Sequence, residues 1–334
     1  MKKSLYIFKS GELRRKDDTL YFDNEEERRV IPIEDTYDIY IFGEVDVTKR
    51  FLEFVSQKEV CIHYFNYYGY YIGTFYPREH LNAGHVVVKQ AEHYINMDKR
   101  VHLARKFVEG AISQMRQVIR YYKSRIKSDA NDFESILNKI DKLSKPLLDA
   151  TTVEELMAIE GHVREMYYKS FDQILDNPDF PFEKRSNRPP LNRLNALISF
   201  GNSICYTLVL SEIFKTYLDP RIGYLHSSNF RRFSLNLDVA EVFKPLVVDR
   251  LIFTLINKKM ITKKDFDRHT DGIMLTETGR RTFVSELDKR MKTTFNHRHL
   301  GKSVSYRRLI RLELYKIQKH ILGEREYKPY QSLW

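Results

Sequence analysis

The spacing of apolar residues changes near residue 78 of this 334-residue chain. Before that point, short runs rich in Tyr, Ile, Val and Phe are separated by turn residues such as Gly11 and Asn24, a two-residue period that predicts β-strands. After Pro77 the period is that of amphipathic helices, for example across residues 99–127. The two periods therefore predict an α+β fold, with a small amino-terminal β domain followed by a larger all-α domain.

The same change of period gives the predicted domain boundaries. Residues 1–78 form the β domain, residues 79–98 a linker, and residues 99–334 the helical domain. Both domains are long enough to bury a core of their own. Within the first domain, DVTKRFLEFVSQK predicts one short helix, and the aromatic stretch FNYYGYYIGTFYPRE favours strand and turn packing over a base-stacking surface.

Charge and cysteine content narrow the class of partner and compartment. Lys and Arg number 56 against 45 Asp and Glu, a net charge of +11 that favours a polyanionic partner, nucleic acid before membrane. Cys61 and Cys205 lie far apart inside apolar runs, so we expect neither a disulfide framework nor a thiolate metal site, and a reducing cytoplasm. The longest apolar stretch, LNALISFGNSICYTLVL, is interrupted by Asn and Gly and predicts a buried helix rather than a membrane span.

A glutamate on the apolar side of a helix is the most unusual feature of the helical domain. Thr152 and Glu155 make a capping-box pattern that predicts the start of this helix. Glu160 lies four residues after Leu156 and three before Val163, inside the apolar stripe. Since a lone buried carboxylate costs several kcal/mol, Glu160 needs a compensating partner.

A second segment, residues 223–252, offers that compensation. It places His226 in a loop, followed by Asp238 and Glu241, which are three residues apart and share a face if helical. With Glu160 they supply one imidazole and two or three carboxylates, a donor set that suits Mg²⁺ or Mn²⁺. The alternative is that Asp238 and Glu241 form an Asp-x-x-Glu capping box and His226 merely packs.

Basic side chains accompany this acidic group and are the predicted DNA contacts. Those within the second segment are Arg231, Arg232, Lys244 and Arg250. A bound metal beside basic side chains suits phosphodiester chemistry, because the cation polarises the phosphoryl oxygen while Lys and Arg hold the backbone.

The chain resembles the CRISPR-associated integrase, the catalytic subunit of the CRISPR spacer-acquisition complex. The resemblance rests on IEGHVREMYY, on NRPPLNRLNALISFGNSICYTLV, and on LH followed by SLNLDVAEVFKPLVVDR, in the family's order over essentially the whole chain. The opening segment is similar to members that accompany type I systems. The resemblance implies that Glu160, His226 and Glu241 are metal ligands and that Asp238 supports them. It also places Arg188 and Asn192 in a segment beside the site, where we expect DNA contacts.

By the same resemblance, the reaction is a metal-dependent transesterification. A 3′ hydroxyl of a short foreign DNA fragment attacks a phosphodiester of the CRISPR repeat, and the family also cleaves DNA. The resemblance implies a homodimer paired through its β domains, with two such dimers flanking a dimer of a smaller adaptation subunit in a heterohexamer. Two alternatives remain open: a non-catalytic nucleic-acid scaffold whose acidic cluster is structural, and a metal-dependent nuclease acting on RNA.

Two carboxyl-terminal features also have two interpretations. Residues 293–322 carry a basic group that is either a solvated face or a DNA contact: His297, Arg298, His299, Lys302, Arg307, Arg308 and Arg311. The last eight residues, YKPYQSLW, are either flexible or dock on a partner subunit.

Overall fold

The computed structural model divides into two compact units, Met1–His80 with Leu275–Asp288, and Leu81–Met274 with Lys289–Trp334. The first contains most of the strands and the second is largely helical, so the predicted α+β class is confirmed. The segment Leu275–Asp288 belongs to the first unit, although the sequence predicted that unit to end at residue 78. The residues that the structure describes are 2–78, 81, 83–126, 130–226, 233–269, 272–297 and 300–332.

The described strands of the first unit form two four-stranded sheets. Their bounds are β1 Lys3–Ile7, β2 Gly11–Lys16, β3 Thr19–Asp23, β4 Arg28–Ile31, β5 Thr36–Ile41, β6 Val45–Val47, β7 Ile62–Phe65 and β8 Tyr71–Phe75. One sheet has the order β1-β5-β7-β8, in which only β8 is antiparallel to its neighbour. The other has the order β4-β3-β2-β6, in which β2 and β6 are parallel.

One helix, α1 (Lys49–Gln57), contributes to the core of the first unit. Its predicted start is confirmed, because the Thr48 side chain accepts a hydrogen bond from the Phe51 N–H. Phe51 and Phe54 are buried with strand residues such as Leu13 and Ile39. Each large apolar side chain buried in this way contributes about 1.5–3 kcal/mol relative to exposure.

The second unit is built mainly from helices. The helices after α1 are α2 Gly84–Ile95, α3 Met97–Lys123, α4 Ala130–Ser144, α5 Val153–Tyr168, α6 Phe171–Leu175, α7 Arg193–Ile213, α8 Leu235–Lys244, α9 Arg250–Asn257, α10 Glu277–Lys292, which begins in the first unit, and α11 Tyr306–Ile321. Helix α10 contains the boundary between the units, and a π-helical turn, Pro245–Asp249, joins α8 to α9. Two hairpins also occur, formed by β9 (Phe266–His269) with β10 (Gly272–Leu275) and by β11 (Thr294–His297) with β12 (Lys302–Ser305). They were not predicted.

The region predicted as a linker, residues 79–98, contains helix α2, and this prediction needs correction. Gln90 on α2 is fully buried and exchanges two hydrogen bonds with the backbone of Asp219: its Nε2 donates to the carbonyl at 3.2 Å and its Oε1 accepts from the N–H at 2.7 Å. These bonds satisfy buried polar groups on both sides. Residues 84–95 therefore fold as part of the helical unit.

Helix α7 is long and apolar enough to cross a membrane by length and composition, but 83% of its most apolar window is buried inside the protein. The core helix of a soluble protein has this environment, as the sequence predicted. Its first turn is capped by Asn192, whose side chain accepts a hydrogen bond from the Asn195 N–H.

The carboxyl-terminal segment lies along α3 and α11 of its own chain. Tyr327 is fully buried, and its hydroxyl donates to Glu313 Oε1 at 2.7 Å. The same oxygen accepts from the Tyr330 N–H at 2.8 Å, and Gln114 Nε2 donates to the Tyr330 carbonyl at 2.9 Å. Of the two interpretations of this segment, flexibility does not describe residues 327–332.

Candidate active site

Glu160 and Arg164 lie one helical turn apart on α5. The predicted capping box of this helix is present, since Thr152 and Glu155 each accept from the other's backbone N–H. The side chains of Glu160 and Arg164 are only 17% and 13% exposed, and Arg164 Nε donates to Glu160 Oε1. The compensating partner that the sequence required for Glu160 is therefore Arg164, which sequence reasoning missed.

Glu241 on α8 accepts from the same guanidinium. Arg164 Nη2 donates to Glu241 Oε2, and Lys244 Nζ donates to Glu241 Oε1 at 2.5 Å. Burial opposes ionisation of Glu241, but Arg164, Lys244 and His226 outweigh it, and the pKa of Glu241 is lowered. For Arg164 the balance is the reverse: burial alone would lower its pKa, and the two glutamates raise it well above the ordinary value.

His226 is held by Asp238, which is fully buried. One Asp238 oxygen accepts from the His226 N–H and contacts His226 Nδ1, both at 2.8 Å. The other accepts from the N–H groups of Tyr224 at 2.5 Å and Leu225 at 3.0 Å. The capping-box interpretation of Asp238 is therefore wrong, because its carboxylate reaches back to the preceding loop.

This contact also fixes the chemistry of the imidazole. Burial would lower the pKa of His226, but the hydrogen bond and charge of Asp238 outweigh burial and raise it. With Nδ1 occupied by a carboxylate, Nε2 is the nitrogen left for a ligand, which is the arrangement common to metal-binding histidines.

Two further groups complete the charge network behind the glutamates. Asp249 is buried in the π-helical turn, and burial raises its pKa to about 6 although Arg164 and Lys244 act in the opposite sense. Tyr206 lies on the other side of Lys244, with its hydroxyl 3.4 Å from Nζ. The network thus alternates in charge from Glu160 through Arg164 and Glu241 to Lys244.

The structure brings the predicted residues into one region but does not gather them around one point. Glu160 and Glu241 share a guanidinium, and His226 is close enough to lower the pKa of Glu241. Among the residues that the structure describes, no group of three or more His, Cys, Asp and Glu side chains is arranged to hold a metal ion. The donor chemistry still fits a hard divalent cation, since two carboxylates already share one cationic group beside an imidazole with a fixed tautomer.

The residues predicted to contact DNA differ from one another in exposure and in hydrogen bonding. Lys244 is only 6% exposed and bonded to Glu241, so the prediction that it meets DNA at the surface needs correction. Asn192 caps α7 and donates to the Phe182 carbonyl at 3.0 Å, which is a structural role. Arg188 is exposed, Arg250 is part-buried, and Arg231 and Arg232 lie outside the described residues.

The carboxyl-terminal basic group is also divided. Arg311 pairs with the buried Glu212, and Arg307 lies 3.9 Å from the same carboxylate. Lys302 and Arg308 are exposed, which leaves either interpretation open for them. Arg298 and His299 lie outside the described residues.

Comparison with known proteins gives the class to which this fold and site belong. Residues 5–289 match the family model described as CRISPR associated protein Cas1. A protein from Thermodesulfovibrio yellowstonii, named CRISPR-associated endonuclease Cas1 2, is 56% identical over 334 residues and 100% of both chains. The structure of a CAS1 protein from Thermotoga maritima superposes with a TM-score of 0.87 at 47% identity, covering 98% of this chain and 100% of that one.

Two remoter structures share the fold. One is a casposase bound to integration product, with a TM-score of 0.85 and 20% identity over 99% of this chain and 93% of that one. The other is a Cas6-RT-Cas1–Cas2 complex, with a TM-score of 0.84 and 18% identity over 100% of this chain and 36% of that one.

The chain belongs to the Cas1 family of CRISPR-associated proteins. The predicted family is therefore confirmed, and with it the predicted class of enzyme, a CRISPR-associated endonuclease.

Proposed function

We propose that this protein is a divalent-metal-dependent DNA integrase and endonuclease that inserts short foreign DNA into a CRISPR array. A 3′ hydroxyl of the fragment attacks a phosphodiester of the repeat, and one strand of the repeat leaves as the new bond forms. The observation that carries the proposal is the convergence of Glu160 and Glu241, from two helices, on one cationic group next to His226. Family membership and the casposase and Cas1–Cas2 structures support the integrase assignment.

Glu160, Glu241 and the Nε2 atom of His226 are the groups we propose to hold Mg²⁺ or Mn²⁺. When bound there, the cation stabilises charge on the attacked phosphate and favours ionisation of the incoming hydroxyl. Asp238 orients His226 and keeps its proton on Nδ1. Arg164 balances the charge of the two glutamates when no cation is bound, and its guanidinium would favour a negatively charged phosphate at this site.

The protein is also proposed to act in an assembly with a partner subunit and DNA. We propose a cytoplasmic homodimer formed through the β unit, two copies of which flank a dimer of a smaller adaptation subunit in a heterohexamer. The Cas1–Cas2 pairing named for the remoter complex supports a partner subunit. The net charge of +11 supports a DNA partner held through its backbone, with a binding constant that falls as salt rises.

The test compares isosteric variants in a strand-transfer assay. Glu160→Gln and Glu241→Gln are expected to lower Mn²⁺-dependent joining of a 3′-hydroxyl duplex to plasmid DNA by about 100-fold or more, while DNA binding persists. Glu165→Gln is the matched control, because Glu165 lies on the same helix with its side chain 68% exposed, and joining should be unchanged.

Two other outcomes separate the alternatives. If both glutamine variants join DNA at the wild-type rate and only melt at a lower temperature, the acidic group is structural and the protein is a scaffold. If ribose oligonucleotides are cleaved faster than matched deoxy oligonucleotides, RNA is the substrate and integration is not the activity.

A further inference from the structure

A group of arginines and tyrosines gathers in the second unit at the ends of four helices. Tyr121 and Tyr122 lie in the last turn of α3, Arg250 begins α9, Arg290 lies in the last turn of α10, and Tyr306 begins α11. Arg125 follows α3. We call this group the arginine–tyrosine cluster: Tyr121, Tyr122, Arg125, Arg250, Arg290 and Tyr306.

The guanidinium groups of the cluster contact aromatic rings and backbone carbonyls. The Cζ atoms of Arg125 and Arg250 lie 3.7 and 4.3 Å from the centroid of the same Tyr121 ring. Arg290 Nε and Nη2 donate to the Leu246 carbonyl at 3.2 and 2.6 Å, and its Cζ lies 5.3 Å from the Tyr306 ring. Such contacts restrict rotamers and leave the other N–H groups in a defined direction.

The charge around Arg290 is unusual for a part-buried guanidinium. Among the described residues, no carboxylate pairs with Arg290; its neighbours are the Leu246 carbonyl and the Tyr306 ring. Burial and the positive charge of Arg250 lower the pKa of Arg290 to about 10, against a smaller opposing effect of the tyrosines. Arg290 still carries its proton at neutral pH. The positive charges of Arg250 and Arg290 repel each other, and a bound anion would reduce that repulsion.

The cluster adjoins the candidate active site along the chain. Arg250 follows Asp249, whose pKa is influenced by Arg164 and Lys244 of the charge network. Both Arg250 and Glu241 belong to the continuous helical run from α8 through the π-helical turn to α9. One helical run thus connects the candidate active site to the cluster, and we expect a nucleic acid that reaches Glu241 to have backbone groups near Arg250 as well.

We propose that the arginine–tyrosine cluster binds a backbone phosphate of duplex DNA through Arg250 and Arg290. The inference rests on the proposed function and adds Arg290, which the sequence did not indicate, as a DNA-binding residue. Guanidinium groups match the geometry of phosphate oxygens, and tyrosine rings hold the guanidinium planes without neutralising them. A phosphodiester and free inorganic phosphate share this chemistry, and the test separates them.

The experiment measures duplex binding by fluorescence anisotropy without divalent metal over a range of KCl concentrations. Arg250→Gln and Arg290→Gln are each expected to lower the slope of log binding constant against log salt by about 1, the value for one lost phosphate contact. Arg116→Gln is the control, because the Arg116 guanidinium is paired with Asp141 in the same unit, and its slope should equal that of the wild type. Arg290→Lys keeps the charge and should keep most of the slope.

Unchanged slopes in both glutamine variants, with melting temperatures near that of the wild type, would overturn the inference. If Arg290→Gln does not fold because the Leu246 carbonyl loses its donor, Arg250→Gln and Arg290→Lys decide the question. Thermal stabilisation of the wild type by inorganic phosphate, with slopes unaffected in the variants, overturns the assignment to DNA. A wild type that does not bind duplex DNA overturns this inference together with the proposed function. Unchanged slopes with joining still dependent on Glu160 overturn only this inference.

Discussion

Two part-buried guanidinium groups of the second unit differ in what faces them. Arg164 lies between the carboxylates of Glu160 and Glu241, whereas Arg290 contacts the Leu246 carbonyl and the Tyr306 ring. The glutamates outweigh burial and raise the pKa of Arg164 well above its ordinary value, while burial and Arg250 lower the pKa of Arg290 to about 10. The first guanidinium completes an internal charge network, and the second retains its capacity for an external anion.

Removal of Glu241 is expected to have the largest effect on stability. In Glu241→Ala, the charges of Arg164 and Lys244 stay buried without their shared carboxylate, which costs about 3–5 kcal/mol of unfolding free energy. Urea unfolding followed by circular dichroism measures the loss. Glu165→Ala, at an exposed position of α5, should stay within about 0.5 kcal/mol of the wild type. A loss below about 1 kcal/mol in Glu241→Ala would mean that Arg164 and Lys244 do not depend on Glu241 for charge compensation.

Replacement of the two arginines compares the clusters directly. Arg164→Gln is expected to destabilise the metal-free protein by about 2–3 kcal/mol, because Glu160 and Glu241 lose a charged donor. Arg290→Gln loses bonds to one carbonyl, and about 1 kcal/mol is expected. Thermal melting with matched protein concentrations measures both values. Equal losses of unfolding free energy would mean that the two guanidinium groups contribute equally to stability.

The same pair of variants tests whether Arg164 competes with a cation. Electron paramagnetic resonance of Mn²⁺ reports free and bound metal without reference to activity. Arg164→Gln should bind Mn²⁺ more tightly than the wild type, because no guanidinium has to leave the glutamates, and Arg290→Gln should bind as the wild type does. Weaker binding in Arg164→Gln would show that the arginine positions the glutamates for the metal instead.

The sequence predicts the division into a β unit and a helical unit because the period of apolar residues differs between them. The change near residue 78, the α1 and α5 start signals and the buried character of α7 are all local patterns, and the structure contains each of them. Helix α2 was missed because Gln90 and His93 are buried on it, so polar residues occupy positions that a periodicity argument expects to be apolar. The segment 275–288 joins the first unit through long-range packing, which no local pattern reports.

The candidate site could be predicted only in part, for a different reason. A part-buried Glu160 requires a partner, but several kinds of residue satisfy that requirement, and the predicted carboxylates and histidine are distant in sequence whereas Arg164 lies one turn away. The spacing of four residues between Glu160 and Arg164 was the available signal. Lys244 was assigned to DNA because it is basic, although its spacing of three from Glu241 also indicated an internal pair.

Asp238 tests the acidic group that surrounds Arg164, because its carboxylate orients His226 for a metal. Asp238→Asn keeps the side-chain shape but loses the charge that holds His226 Nδ1 and three backbone N–H groups. Loss of such an outer-shell partner lowers metal affinity by about 10–100-fold. Mn²⁺ titration by electron paramagnetic resonance measures it, with Asp98→Asn on the exposed first turn of α3 as the control. Unaltered Mn²⁺ affinity in Asp238→Asn would mean that His226 is not a metal ligand.

A group of three histidines, His93, His102 and His320, gives the smallest expected effect and contrasts with the paired arginines. His320 on α11 lies 5.4 Å from the His102 ring and 5.6 Å from the His93 ring, and its Nδ1 accepts from the Tyr327 N–H at 3.1 Å. Burial, His102 and His93 lower its pKa to about 4, with smaller effects from Glu326 and Lys106. Histidine can release its proton to relieve this repulsion, whereas arginine keeps its charge at neutral pH.

The His320 pKa is lower in the folded chain than the ordinary value of 6.5, so the neutral ring stabilises the fold above that pH. This contribution is lost as pH falls from 6.5 towards 4, and because the side chain is only part-buried, about 1 kcal/mol is expected after allowance for solvent screening. Urea unfolding at about pH 7.5 and about pH 5, which lie on either side of the ordinary pKa, measures the difference in unfolding free energy. His320→Gln should lose less stability on acidification than the wild type, and His162→Gln, at an exposed position of α5, should match the wild type. An identical acid loss in His320→Gln would mean that folding does not lower the pKa of His320.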